Sequence, residues 1–127
     1  MENMTGKDAG RPNDLQNRTF RFARDVRQFI SALPRNLSTV ADGSQVIRSS
    51  GSVGANYIEA QEALSRKDFA MRIKICRKEA KESSYWLELL SEQTPKAIAT
   101  ERERLEQEAT ALLRIFSAMV NKLNVSA

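Results

Sequence analysis

Apolar residues recur along this chain at helical spacing and nowhere alternate as they would on a strand. Between positions 14 and 33, Leu15, Phe22, Val26, Phe29, Ile30 and Leu33 fall on one stripe, which predicts an amphipathic helix with Asn13 or Asp14 as its N-cap. Pro34 stops it, because the residue before a proline is pushed out of the α region. A second helix is predicted from about 38 to 64, with Val46, Ile47, Val53, Tyr57, Ile58 and Leu64 as its apolar set. Its start is the least defined boundary, since Asp42-Gly43 is also a turn signal. Ser65 stands where an N-cap belongs, with Asp68 three residues on. Over 66 to 93, Phe69, Ile73, Cys76, Ala80, Ser83, Leu87 and Leu90 then step alternately by four and three, the seam of a bundle helix. Thr94-Pro95 opens a fourth helix, 96 to 123, as an N-cap followed by proline at the first helical position. Leu105, Ala109, Leu112, Phe116, Met119 and Leu123 form its stripe, with a break expected near Ala99 and Thr100.

Four such helices joined by short loops predict an all-α fold, an up-down-up-down antiparallel four-helix bundle spanning 14 to 123. The stretch before it, "MENMTGKDAGRPN" (1 to 13), is polar, contains Gly and Pro and has no period, the pattern of a disordered tail. A short tail, 124 to 127, follows the bundle. The third helix carries more apolar residues than one seam uses. Met71, Ile75, Trp86 and Leu89 lie off it, either as a wider core stripe or as a patch for self-association.

The stretch "GSVGANYIEA" (51 to 60) admits two readings. A G-x-x-G loop that clamps nucleotides belongs to a fold with strands, which this pattern lacks. Inside a helix each glycine costs roughly 1 kcal/mol relative to Ala, so Gly51 and Gly54 are read as a thin face that admits a neighbouring helix. On the same helix Arg48, Ser52 and Glu59 share a face, with Asn56 at its edge, and Glu79 and Glu82 stand beside Arg72 and Lys78 on the next. We read Arg48, Asn56, Glu59 and Glu82 as a structural polar lock. Paired carboxylates for acid-base work are the sharper alternative.

Composition narrows the chemistry. The 127 residues suit one domain and contain no histidine and one cysteine. A His-based catalyst, a His-containing metal site and an internal disulfide are thereby set aside, and we expect no cofactor, no metal and no enzyme. Positions 1 to 14 lack a signal-peptide core and no run approaches the length of a membrane span, so the expectation is a cytoplasmic protein without a membrane partner. With 20 Lys and Arg against 16 Asp and Glu, the net charge is +4, which permits an acidic partner without requiring one.

The basic residues are unevenly spread. Arg18, Arg21 and Arg24 step by three in the first helix, and Lys74, Arg77, Lys78 and Lys81 sit at i, i+3, i+4 and i+7 in the third. Each set is expected to form a solvent-facing ridge suited to phosphates. The alternative is a solvated face with local ion pairs such as Lys78 with Glu82. Aromatic residues interleaved with the charge, on which single-strand binders stack bases, are scarce.

The block "QVIRSSGSVGANYIEAQEALSRKDFAMRIKICRKEAKESSYWLELL" (45 to 90) strongly resembles the four-helix-bundle family of 23S rRNA-intervening sequence proteins. The likeness rests on an aliphatic residue before Arg48-Ser49, on Asn56 to Glu59, on Asp68-Phe69 and on Glu82 to Leu87. "RTFRFA" (18 to 23) and "LLRIFSAMV" (112 to 120) are similar to that family's first and last helices, although Ala60 stands where many members have Gly. The resemblance implies an up-down bundle assembled as a ring-like homopentamer. The family is named for reading frames inside insertions of large-subunit ribosomal RNA genes. A related branch, the accessory proteins of diversity-generating retroelements, is a basic pentameric barrel thought to bind nucleic acid and a reverse transcriptase, but it lacks this motif block. Two functions follow. One is a non-enzymatic homo-oligomer that binds RNA or DNA through its basic ridges; the other is an assembly or adaptor protein that recruits a protein partner such as a reverse transcriptase.

Overall fold

The computed structural model describes residues 14–125, so the tail expected over 1 to 13 and residues 126 and 127 lie outside it. Four helices, α1 (Asp14–Ser31), α2 (Leu37–Gln61), α3 (Arg66–Leu89) and α4 (Ala99–Val125), make an all-α bundle with no strand among the described residues. Helices α2 and α4 each pack against both α1 and α3, which leaves α1 and α3 across the bundle from one another.

Local chemistry sets the helix ends. α1 closes two residues earlier than the apolar stripe suggests. Ahead of Pro34 the last turn tightens, with Ala32 and Leu33 N–H groups donating to the Phe29 and Ile30 carbonyls at 3.0 and 3.1 Å. α2 begins at Leu37 because Asn36 and Thr39 cap it reciprocally: the Thr39 N–H donates to Asn36 Oδ1 and the Asn36 N–H to Thr39 Oγ1, both at 3.0 Å. Asp42-Gly43 is helical, not a turn. α2 stops at Gln61, so Leu64 falls in the connecting loop and is 98% exposed, contrary to its place in the expected apolar set. The Ser65 hydroxyl caps α3 by accepting from the Asp68 N–H at 3.0 Å.

The fourth helix opens differently from the sequence expectation. Thr94 does not cap it; its hydroxyl turns back to the Leu90 carbonyl at 2.7 Å and closes a 3-10 turn, Leu90–Gln93, that continues α3. Pro95 then leads a second 3-10 turn, Lys96–Ile98, and α4 starts at Ala99, where the break was expected.

The core is the predicted one with small changes of register. Phe22, Val26 and Phe29 of α1, Val46 and Val53 of α2, and Leu105, Leu112 and Phe116 of α4 are buried, and so are Ile73, Cys76, Ala80 and Leu87 of the α3 seam. Ala60 and Val120 join them, while Ile58, 140° round the helix from Val53, remains exposed. Buried hydroxyls and the thiol between α2 and α3 have partners. Ser49 and Ser83 hydroxyls meet at 2.8 Å across α2 and α3, and the Cys76 thiol donates to the Val53 carbonyl at 3.4 Å.

At Gly54 α1 approaches α2 closely. A Cβ at position 54 would lie 2.9 Å from Thr19 Oγ1 and 3.3 Å from Thr19 Cβ. The buried Thr19 hydroxyl is itself fixed by donation to the Gln16 carbonyl at 2.8 Å. Gly51 has a related role, since the Arg27 guanidinium lies over it and donates to the Ile47 carbonyl at 3.2 Å. The thin-face reading of "GSVGANYIEA" is the one the packing supports.

Candidate nucleic-acid interface

α3 carries a row of cations on a regular helix. Lys74, Lys78 and Lys81 are exposed and Arg77 is half-buried. Among the described residues, none of the four makes a hydrogen bond or ion pair with its side chain. The local pair that would have neutralised Lys78 does not form, because Glu82 is turned toward α2 and held there by Arg48. At 1.5 Å per residue, the row runs along roughly 10 Å of helix.

The arginines of α1 are arranged otherwise, and here the expected ridge is corrected. Steps of three residues drift 60° per step on a helix, so Arg18, Arg21 and Arg24 fan across the surface. Arg18, four residues before Phe22, sits at the edge of the core stripe and binds Glu108 of α4 through two bonds of 2.7 and 2.9 Å. That bond to Glu108 raises the pKa of Arg18 above its ordinary value. Arg21 is half-buried, with Nη1 screened from solvent and unbonded. Arg24 reaches Asp25 at 3.1 Å, and Asp25 also accepts from Arg104 of α4 at 3.0 Å. Glu101 is the main reason that the pKa of Arg104 is raised, with Asp25 adding to it. Sequence spacing alone gave no signal for this α1–α4 network, whose partners lie about 80 to 90 residues apart.

The polar lock forms between α2 and α3, with one member left out. Arg48 pairs with Glu82, and with the nearly buried Glu79 at 3.4 Å. Glu82 also accepts from Trp86 Nε1 at 3.3 Å. About two turns along α2, Asn56 accepts from Arg72 Nη1 at 3.1 Å and donates to Ser52. Glu59 is exposed and its side chain has no partner among the described residues. The α3 guanidinium that meets this part of α2, Arg72, is taken by Asn56. Glu79 and Arg72 complete the lock in its place.

The off-seam residues of α3 divide. Met71 and Leu89 are 47% and 45% exposed, joined by Tyr85 at 56%, whereas Ile75 is half-buried and Trp86 packs partly against the core. Tyr85 rests edge-on against Trp86, with ring centroids 5.1 Å apart. Among the described residues no cluster of His, Cys, Asp or Glu could hold a metal ion, and no helix is long and apolar enough to cross a membrane.

These features define a class: a small basic four-helix bundle, its helix pairs joined by polar contacts across α2–α3 and α1–α4, with a cationic row on α3 that has no carboxylate partner among the described residues. The family model described as 23S rRNA-intervening sequence protein matches residues 11–118, and the chain belongs to that family. The chain is also similar to the crystal structure of a protein with unknown function from the S23 ribosomal protein family of Bacteroides thetaiotaomicron VPI-5482. That likeness has 29% sequence identity and a TM-score of 0.75, and covers 86% of this chain and 96% of the other. No curated protein matches the chain.

Proposed function

We propose that this protein is a non-enzymatic, self-associating up-down-up-down bundle that binds RNA or another nucleic acid through α3. The observation that carries the reading is the set Lys74, Arg77, Lys78 and Lys81, which faces no carboxylate partner while the α1 arginines Arg18 and Arg24 each have one. Charges without partners are free to displace the counterions of phosphates. The antiparallel order is supported by contacts whose numbers rise on one helix as they fall on the next: Arg48 with Glu82 against Asn56 with Arg72, and Arg18 with Glu108 against Asp25 with Arg104. Met71, Tyr85 and Leu89 expose apolar surface beyond the core, which supports assembly into an oligomer such as a pentameric ring. A ring would multiply weak phosphate contacts by avidity.

The test is fluorescence anisotropy with labelled RNA and DNA at about 50 mM salt and upward. Wild type is expected to bind with affinity falling steeply as salt rises, and Lys74→Glu with Lys78→Glu to lose more than tenfold and flatten the salt slope without changing the melt. No binding at low salt, or an unchanged affinity in the variant, refutes the reading. The exposed Met71, Tyr85 and Leu89 also favour a second reading, an adaptor that recruits a protein such as a reverse transcriptase. A partner held from nuclease-treated lysate by the charge-reversed variant would favour it. Light scattering at micromolar concentration tests self-association in the same preparations, and a monomeric wild type refutes that part.

A further inference from the structure

Away from the α3 row, α1 and α2 enclose a groove of 520 Å³ on the outer side of the bundle. Its floor is the thin face of α2, Gly51 and Gly54, and its walls carry Phe20 and Ile58. Phe20 is 67% exposed and lies 200° round α1 from the core residue Phe22, so it has no part in holding the bundle together. Arg24 and Arg27 also line the groove, and no acidic residue does. Arg27 is bonded only to the carbonyls of Ala23 and Ile47, so its charge has no carboxylate to balance it. Arg24 gives only its Nε–H to Asp25, leaving both Nη groups without a partner among the described residues. Gln16 and Asn17 bring side-chain amides to the same groove, and each amide both donates and accepts.

We propose that this groove takes an unpaired base of a single-stranded nucleic acid, with Phe20 as the stacking surface and Arg24 and Arg27 against the adjoining phosphates. This rests on the nucleic-acid reading of the preceding subsection and adds the kind of strand. An apolar slot with an aromatic wall, two cations and no carboxylate combines what single-strand binders use, a stacking face beside a positive track. A duplex keeps its bases stacked inside, so it has nothing to place in the groove. The two amides can meet a base edge, whose donors and acceptors are exposed only when the base is unpaired.

The experiment compares a labelled single strand of about a dozen nucleotides, within the usual site size of such binders, with its blunt duplex, at one salt concentration. Phe20→Ala is expected to weaken single-strand binding about fivefold or more, as loss of one stacked base does, and to leave duplex binding within about twofold. Ala55→Glu, which places a carboxylate in the groove from an exposed position, should weaken the single strand in the same way and serves if Phe20→Ala alters the melt. Equal binding by wild type and both variants overturns the proposal and leaves the α3 reading standing. An equal loss on single strand and duplex also overturns it, as does a change in oligomeric mass, which would assign the groove to a second copy of the chain. A wild type that binds neither nucleic acid removes both readings together.

Discussion

Replacing Gly54 by alanine tests how closely α1 and α2 are fitted. On helix propensity alone the change stabilises by about 1 kcal/mol. The new methyl, however, would stand 2.9 Å from Thr19 Oγ1, a contact that real Cβ atoms essentially never show. Thr19 cannot yield cheaply, because rotating its hydroxyl away gives up the bond to the Gln16 carbonyl inside a buried site, at about 1–3 kcal/mol. Moving α1 outward instead incurs the usual cost of overpacking, also about 1–3 kcal/mol. The net expectation is a destabilisation of about 1 kcal/mol, a fall in Tm of a few degrees for a chain of this size. Thr19→Ala removes the oxygen and leaves only its Cβ, 3.3 Å from the new methyl, which a shift of a few tenths of an ångström accommodates. In that background Gly54→Ala should be neutral or stabilise by up to about 1 kcal/mol, so the two substitutions couple by about 1–2 kcal/mol. Urea unfolding followed by far-UV circular dichroism, at one protein concentration because assembly also shifts stability, measures all four corners of the cycle. Equal effects of Gly54→Ala in both backgrounds would refute the close-approach account of this glycine.

Two further outcomes follow from the interior. Arg48→Ala should destabilise by about 1–2 kcal/mol, less than the figure for a fully buried pair because Arg48 is itself half exposed, with Glu79 left nearly buried and uncompensated. Glu79→Gln in the same chain should recover most of the loss in a urea melt, and no recovery would place the cost elsewhere. Burial pushes the Cys76 thiol up to about 12 from an ordinary value of 9.0. The folded state therefore holds the proton more tightly than the unfolded one. Stability is fully present below pH 9 and should be lost progressively between 9 and 12, with Cys76 contributing a slope of up to about 1.4 kcal/mol per pH unit. Cys76→Ser should flatten that part of the stability curve, and in the wild type a thiol reagent at neutral pH should label Cys76 only as fast as the protein opens.

What the sequence made legible was whatever repeats with the helix. The α3 seam from Phe69 to Leu90 and the α4 stripe could be placed because each position repeats a burial requirement every three or four residues. The caps at Ser65 and the stop before Pro34 are chemistry confined to a few neighbouring atoms. Interactions between helices have no such period, so Glu108 as the partner of Arg18, and Arg72 instead of Glu59 in the polar lock, came only with the register of one helix on another.

The cationic sets show why that register matters to function. In sequence, the arginines of α1 and the cations of α3 look equally available. What separates them is the carboxylate each meets after packing. Asp25 and Glu108 reach Arg24 and Arg18 of the α1 set, whereas the acid next in line for Lys78, Glu82, is drawn across to Arg48. The α2–α3 lock thus does two things with one side chain: it joins the helices and it leaves the α3 row uncompensated. A lock variant has a functional consequence for that reason. With Arg48 removed, Glu82 is released to the neighbourhood of Lys78, four residues before it and within pairing reach on a helix, and the nucleic-acid affinity proposed for the row should fall in the anisotropy assay even though no cation has been changed.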